Sequence, residues 1–595
     1  MSEAKSGRGA VKTWLGRHPV LGFALAAGAV GMLLYGGTLA HPFHYDDRHS
    51  ILYNPHLRSL GKIPAYFTDL HTFSSDSRGA MFRPLVLVSY ALNYAAGGQD
   101  PRGYRLVNLL LHLGCAVLLF AWLRRALDWR AAWVGGLVFL AHPTHGEPVN
   151  YLSSRSDLMV SCWYLGGVLL AARGNWAGSC AAYAGGLLSK EVAITLPLLV
   201  GAQQGWSRVR LAWRPYLALG LIGLGYLALI SLNRFLPGSL AKAPRGWGEQ
   251  ALTQVKAHGY YLWLFIMPAR LSVEHQFFVS SGLDAPVVFA ALLLGSLCWL
   301  AWQGRGHLPA LGWAWFLLAL APASLVPLNI LVSERRMYLA SAGLCLALAW
   351  LWQRLPRRRL GWAAPLLVVL LAALSERRNP VWASEASLWE DAVAKGPQMY
   401  RARANLALAY KHQGREEEAL RQMRQALDLR PDYADAWGEL GNLLADRGEP
   451  EGAAEAYTQA LRHNPQFEGA YYNLGNLVQG RGEYARAAEL YQEALRHNPG
   501  FAEARNNLGQ AYEALGRGEE ALAEYRRALE LNPELAQAWY NLAAALEGRG
   551  EAQEAAAAYR RCRQLLLADP AYRENAQYRE FAGRALERAQ RLEGN

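Results

Sequence analysis

Proline stands at positions 397, 431, 465, 499 and 533, so one residue type returns every 34 residues through the last third of the chain. Self-similarity at that period constrains the fold more than composition does. Each period is one helix-turn-helix unit that cannot bury its own apolar face and must pack it on the next copy. Aligned on the prolines, Trp437, Leu440, Gly441, Ala453, Tyr457 and Ala460 return as Tyr471, Leu474, Gly475, Ala487, Tyr491 and Ala494. They return again as Arg505, Leu508, Gly509, Ala521, Tyr525 and Ala528. Small residues mark close helix crossings and bulky ones fill the space between helices.

The period and pattern are those of tetratricopeptide (TPR) units, and they predict an α-solenoid of five repeats over residues 400–567. "WASEASLWEDAVAKGP", at 382–397, keeps the repeat frame at Trp389 and Ala392 and reads as half a repeat within a junction at 379–399. Residues 568–595 read as a polar capping helix and tail. One column is neither core nor turn: Asn405, Asn473, Asn507 and Asn541 are in register, with Glu439 as the fifth member. An asparagine both donates and accepts, so such a ladder suits an extended acceptor peptide lying in the groove. Local packing within the repeat explains the same column equally well.

Upstream the chain changes character. Of all 595 residues 52% are hydrophobic and 18% charged, but the apolar ones concentrate in runs between 19 and 375. Spans are expected near 19–40, 104–123, 131–142, 158–173, 176–189, 191–204, 214–233, 285–303, 308–326, 337–353 and 360–375. The predicted fold is therefore all-α, a polytopic membrane domain (19–378) of about eleven spans followed by the TPR solenoid. Basic residues choose the orientation. Lys5, Arg8, Lys12 and Arg17 place the segment 1–18 in the cytoplasm. Arg124, Arg125, Arg130, Arg208, Arg210, Arg214, Arg305 and Arg354–Arg359 then also fall inside. The stretch 251–280 is read as an interfacial or re-entrant element on the outer side, because counting it as a span would reverse Arg354–Arg359. The first loop, about 41–103, and the solenoid then lie outside. An uncleaved first span and the absence of N-x-S/T sequons suit a bacterial inner membrane with a periplasmic solenoid. The net charge of +12 has this topological meaning, and no nucleic-acid motif accompanies it. The six cysteines form neither a disulfide framework nor a zinc pattern.

Ionisable residues at the outer ends of spans are costly and mark function by default. They are Asp46 and Asp47; Arg83; Glu147, Arg155 and Asp157; Lys190 and Glu191; and Glu334, Arg335 and Arg336. His142, His145 and Glu147 in "HPTHGE" are also of metal-ligand type, but Pro143 interrupts a regular helix there, and no metal site is assigned. A divalent metal is kept only as an alternative, and no other cofactor is expected.

"YDDRHSILYN" after the first span, "FRPL" at 82–85, "VNLLLH" at 107–112, "HPTHGEPV" with the following "RSDL", "LSKE" and "ERRMYL" precede the repeats in that order. In wording and order they resemble the transmembrane and TPR-containing (TMTC) protein O-mannosyltransferases, of the GT-C class of multispanning glycosyltransferases. Arg105 departs from that pattern, standing where the family often has His. The resemblance implies a sugar donor on a polyprenyl phosphate, a protein acceptor, and a catalytic carboxylate in the first outward loop, here Asp46 or Asp47. One of the two would take the proton of an attacking Ser or Thr hydroxyl, and direct displacement would invert the sugar. Arg83, Arg155, Lys190, Arg335 and Arg336, with Arg335 foremost, are the cations for the leaving phosphate. Glu147, Asp157, Glu191 and Glu334 would hold sugar hydroxyls or position those cations. Two other functions stand beside this one: a non-catalytic membrane-anchored TPR scaffold, and a polyprenyl-linked oligosaccharide ligase. Such ligases place their large outward loop late, whereas here the largest loop comes first.

Overall fold

In the computed structural model the structure describes residues 18–75, 81–207, 213–232, 244–327, 329–356, 361–568 and 575–593. The basic residues Lys5, Arg8, Lys12, Arg17, Arg208, Arg210 and Arg357–Arg359 lie outside the described residues. All regular elements are helices, and no strand occurs among the described residues. The chain forms two compact units, Met1–Ala402 and Arg403–Asn595.

In the first unit the long helices are α1 (Pro19–Tyr35), α2 (Pro84–Gly97), α3 (Pro101–Ala126), α4 (Trp129–Ala141), α5 (Arg155–Ala172), α6 (Trp176–Leu187) and α7 (Leu196–Trp206). They continue as α8 (Trp213–Leu232), α9 (Trp247–Ile266), α10 (Ala285–Gln303), α11 (Leu308–Leu325), α12 (Met337–Arg354), α13 (Ala363–Arg378) and α14 (Glu385–Lys395). Helices thus occupy all eleven expected segments. Five of them, α1 with its short extension and α3, α8, α10 and α11, are long and apolar enough to cross a membrane. At 13, 12 and 11 residues α4, α6 and α7 rise only about 16–20 Å, short of a ~30 Å hydrocarbon core. The residues 251–280 hold most of the 20-residue helix α9 followed by irregular chain, with Gln250, Thr253, Gln254, Ala257 and Tyr261 on its buried face.

α3 is the hub, packed against α1, α4 and α5. Pro101 at its first turn and Asp100, whose carboxylate accepts the Arg102 N–H at 3.0 Å, start it, and Arg124 and Arg125 sit favourably at its C-terminal dipole. The expected first loop holds more order than a loop: a π-helical turn at Arg48–Leu52, short 3₁₀ turns, and α2. Ile51, Leu57, Tyr66, Phe73, Val86, Leu87 and Tyr90 form a core of its own there.

The second unit is built of antiparallel helix pairs in the predicted frame, ending in the helix Ala576–Glu593. Gly414, Gly448, Gly482, Gly516 and Gly550 close the turn within each pair at φ between 72° and 80°, a conformation that favours glycine. A Cβ on Gly441, Gly475 or Gly509 would come within 2.5–2.7 Å of the ring of Tyr457, Tyr491 or Tyr525, which explains that pairing in the repeat.

Helices α11 and α12 meet through Gly312 and Gly343, where a Cβ on either would run into the other's carbonyl oxygen. Backbone cannot step aside as a side chain does, so Gly343→Ala is expected to lower the thermal midpoint of the detergent-purified protein clearly. Gly225→Ala, where a Cβ would meet nothing within 4 Å, should leave it unchanged.

Candidate functional site

The site begins at a strained turn. Tyr45 has φ 46°, and it is the one non-glycine residue with positive φ among the described residues. For a bulky aromatic such a conformation costs on the order of 1–3 kcal/mol and persists only where surroundings hold it. After it the adjacent carboxylates Asp46 and Asp47 face different surroundings.

Asp47 points inward and is 0% exposed. Its Oδ2 accepts the His44 N–H at 3.0 Å, and its Oδ1 accepts the Ser153 N–H at 2.7 Å and the Ser153 hydroxyl at 2.6 Å. Burial pushes its pKa up to about 6 even against these donors. Asp46 faces a cavity of about 410 Å³. Partial burial acts to raise its pKa, but His49, at 3.4 Å, the Tyr151 hydroxyl and the charge of Arg335 outweigh it and hold the carboxyl below its usual range. Asp46 is therefore a standing anion at neutral pH.

The cavity gathers residues from six stretches of sequence. Tyr45, Asp46, His49 and Ser50 come from the first turn, Phe73, Met81 and Arg83 from the rest of the loop, and Ser153, Asp157, Val160 and Ser161 from α5 and the turn before it. Lys190, Glu191 and Val192 follow α6, while Ala319, Ala323, Asn329, Ile330, Arg335, Arg336 and Leu339 come from α11, α12 and their connection. Arg401 completes it.

Seven of the expected residues thus line one cavity: Asp46, Arg83, Asp157, Lys190, Glu191, Arg335 and Arg336. Lys190 Nζ lies 2.7 Å from Asp157 Oδ1, and Arg83 lies 3.6 Å from Glu191 while donating to Ser156 at 3.2 Å. Arg336 donates to the carbonyls of Leu331 and Ile330 at 3.0 and 2.8 Å. Arg335 has the least direct tie, its Nε 3.9 Å from Glu147. The surrounding carboxylates Glu147, Asp157 and Asp46 hold it firmly protonated although burial acts the other way.

Asp47, Glu147, Arg155 and Glu334 stand behind that surface. Glu147 accepts the Ser333 hydroxyl at 3.2 Å and the Arg335 N–H at 3.1 Å, and burial pushes it up to about 7. Glu334 accepts the Ser272 N–H at 2.5 Å and sits 3.4 Å from His275. Arg155 is fully buried, donates to Asn108, Asn93, Ser89 and the Tyr104 carbonyl, and stacks over Tyr90. It clamps α2 and α3 to the start of α5 rather than facing the cavity. His142 stacks on Phe265 and bonds Thr144, and His145 bonds Ser341. Among the described residues no group of three or more His, Cys, Asp and Glu is arranged to hold a metal ion.

In the solenoid three members of the asparagine column bond to asparagines of the preceding repeat that lie outside the column. Asn473 and Asn507 donate at 2.8 Å to Asn442 and Asn476 of the preceding repeat, and Asn541 donates at 2.8 Å to Asn506. Asn405 is half-buried in the first helix pair.

Sequence reasoning did not reach Tyr45, Ser50, Ser153, Asn329 or Arg401 as site residues. Arg401 has a findable signal, a cation immediately after the junction, but the repeat frame absorbs it.

Replacing Asp47 with Asn turns one acceptor into a donor facing an N–H. Asp47→Asn is expected to destabilise the first unit by about 1–3 kcal/mol, read as a lower thermal midpoint.

Family models described as tetratricopeptide repeat match residues 472–535, 524–557 and 400–433, and one described as TPR repeat matches 441–480. Protein O-mannosyl-transferase Tmtc1 of Drosophila melanogaster is 27% identical over 73% of this chain and 64% of its own length. Protein O-mannosyl-transferase F38B6.6 of Caenorhabditis elegans is 24% identical over 68% and 62%, and TMTC3 of Mus musculus 26% over 68% and 51%. The chain therefore spans about half to two thirds of the length of these relatives. The crystal structure of MamA, 24% identical, covers 27% of this chain and 94% of its own at a TM-score of 0.26. The chain is similar over most of its length to the TMTC protein O-mannosyl-transferases, and its C-terminal part carries tetratricopeptide repeats.

Proposed function

We propose that this membrane protein is an inverting protein O-glycosyltransferase that moves a hexose, mannose by the names of its relatives, from a polyprenyl phosphate to Ser or Thr hydroxyls. The observation that carries this reading is one cavity in which the ionised carboxylate of Asp46 shares space with five cations, two of them already facing Asp157 and Glu191, and an apolar wall. Asp46 accepts the hydroxyl proton as oxygen attacks the anomeric carbon, and its ionised state leaves it ready to do so. The bond to phosphate breaks on the opposite face, and charge grows on the leaving oxygen. Arg335, helped by Arg336, Lys190, Arg83 and Arg401, stabilises that charge more in the transition state than in the ground state. Asp157 and Glu191 keep Lys190 and Arg83 in place and offer acceptors to sugar hydroxyls. Val160, Val192, Ala319, Ala323 and Leu339 suit the first isoprene units of the lipid.

The solenoid would present the acceptor protein. Because Asn473, Asn507 and Asn541 already bond within it, the column both stiffens the inner face and spends part of its capacity there. The topology that serves this function has a cytoplasmic N-terminus and an extracytoplasmic cavity and solenoid, in a bacterial inner membrane.

Asp46→Asn is expected to cut sugar transfer from a polyprenyl-phosphate mannose at least 10²-fold, and Arg335→Gln about 10²-fold in kcat. Full activity of folded Asp46→Asn protein would remove Asp46 as the base. Replacing Asn405, Asn473, Asn507 and Asn541 together with Ala should raise the KM for a protein acceptor several-fold and leave the donor KM in place. Unaltered acceptor kinetics would reject the ladder as a peptide site.

A further inference from the structure

We propose that Glu385 is a positioning residue for Asp46, holding from the junction helix the left-handed turn that aims Asp46 into the cavity. The inference deepens the reading of Asp46 as the base and rests on it.

A tyrosine at φ 46° does not keep that conformation unaided, so something must fasten it. The Tyr45 N–H donates to Glu385 Oε1 at 2.8 Å. Arg48 donates to the same carboxylate at 3.0 Å through Nε and at 3.2 Å through Nη2. One carboxylate thus grips the residue before Asp46 and the residue after Asp47, bracketing the pair. Charge-assisted bonds of this bidentate kind fix direction as well as distance.

The gripping residue is itself well anchored. Glu385 opens α14, whose start is set by a reciprocal capping box between Ser384 and Ser387. One turn on, the Trp389 ring meets the Tyr45 ring edge-on at 5.5 Å. On the other flank His44 Nε2 lies 2.8 Å from the Trp382 carbonyl oxygen. The Glu385 side chain is 14% exposed and is not part of the cavity surface, so it acts through the turn and not on the reacting atoms.

The test uses the full chain in lipid nanodiscs. Amide hydrogen exchange at Tyr45 reads the turn directly, and release of polyprenyl phosphate from a mannosyl phosphoryl polyprenol reads turnover. Glu385→Ala is expected to speed exchange at Tyr45 roughly ten-fold and to lower kcat by up to about 10²-fold, with donor KM unmoved. Glu385→Gln keeps the reach and the oxygen that accepts the Tyr45 N–H but sets a donor against Arg48 Nη2, so both readouts should fall between wild type and Glu385→Ala. Glu385→Asp, one methylene short, should match Glu385→Ala in both, which keeps the test readable if the alanine variant fails to fold. In an Asp46→Asn background the loss in kcat from Glu385→Ala should vanish. Unchanged exchange at Tyr45, or faster exchange with unaltered kcat, would overturn the inference. A wild-type chain without turnover, or a fully active Asp46→Asn, would count instead against the reading of the reaction, and the exchange measurement would still decide whether Glu385 holds the turn.

Discussion

Three buried charged groups hold the first loop against the rest of the membrane unit and stand behind the cavity. Asp47 joins the turn after α1 to the segment before α5 by accepting one hydrogen bond from His44 within the turn and two from Ser153. Arg105 gathers the carbonyls of His41, Pro42 and Asn150 onto one guanidinium, and Arg155 gathers α2 and α3. Little of this is paired charge against charge. The charges are neutralised by dipoles that the fold must deliver to fixed points, and a dipole that fails to arrive leaves a buried ion costing several kcal/mol. The arrangement is therefore close to all-or-none.

That order behind the surface lets the surface itself be sparse. In the cavity Lys190 and Arg83 have carboxylate partners and Arg336 spends itself on carbonyls, while Arg335 keeps 25% of its side chain exposed and its nearest tie is long. Glu147 accepts the backbone N–H of Arg335 at 3.1 Å while its carboxylate stays 3.9 Å from the guanidinium, so it fixes the residue's backbone and pairs only loosely with its charge.

Much of this was legible in the sequence, for identifiable reasons. The 34-residue period is enforced at each unit by a left-handed glycine and a glycine under a tyrosine ring, so it appears as spelling. The converging motifs were legible because ionisable residues at span ends have few other reasons to exist, and seven of them do share one cavity. What failed to show was direction. Neighbouring aspartates look alike in a string, yet Asp47 is buried and Asp46 faces the cavity. Arg155 reads as a ligand cation by the same default that picks Arg335, which does line the cavity, because nothing local tells a cation aimed at a cavity from one aimed at carbonyls. Helix α2 was lost because its apolar residues are shared with a small loop core of its own instead of with the bundle.

The imbalance of charge in the cavity, five cations against Asp46, Asp157 and Glu191, has a consequence for the end of the catalytic cycle. On the proposed reaction the donor is a phosphodiester with one negative charge, and the departing lipid is a phosphomonoester with nearly two. A cavity tuned to growing negative charge holds what it has made more tightly than what it received. On that proposed reaction the slow event would be the escape of spent lipid, and its pace would follow how quickly the surrounding membrane clears that lipid away.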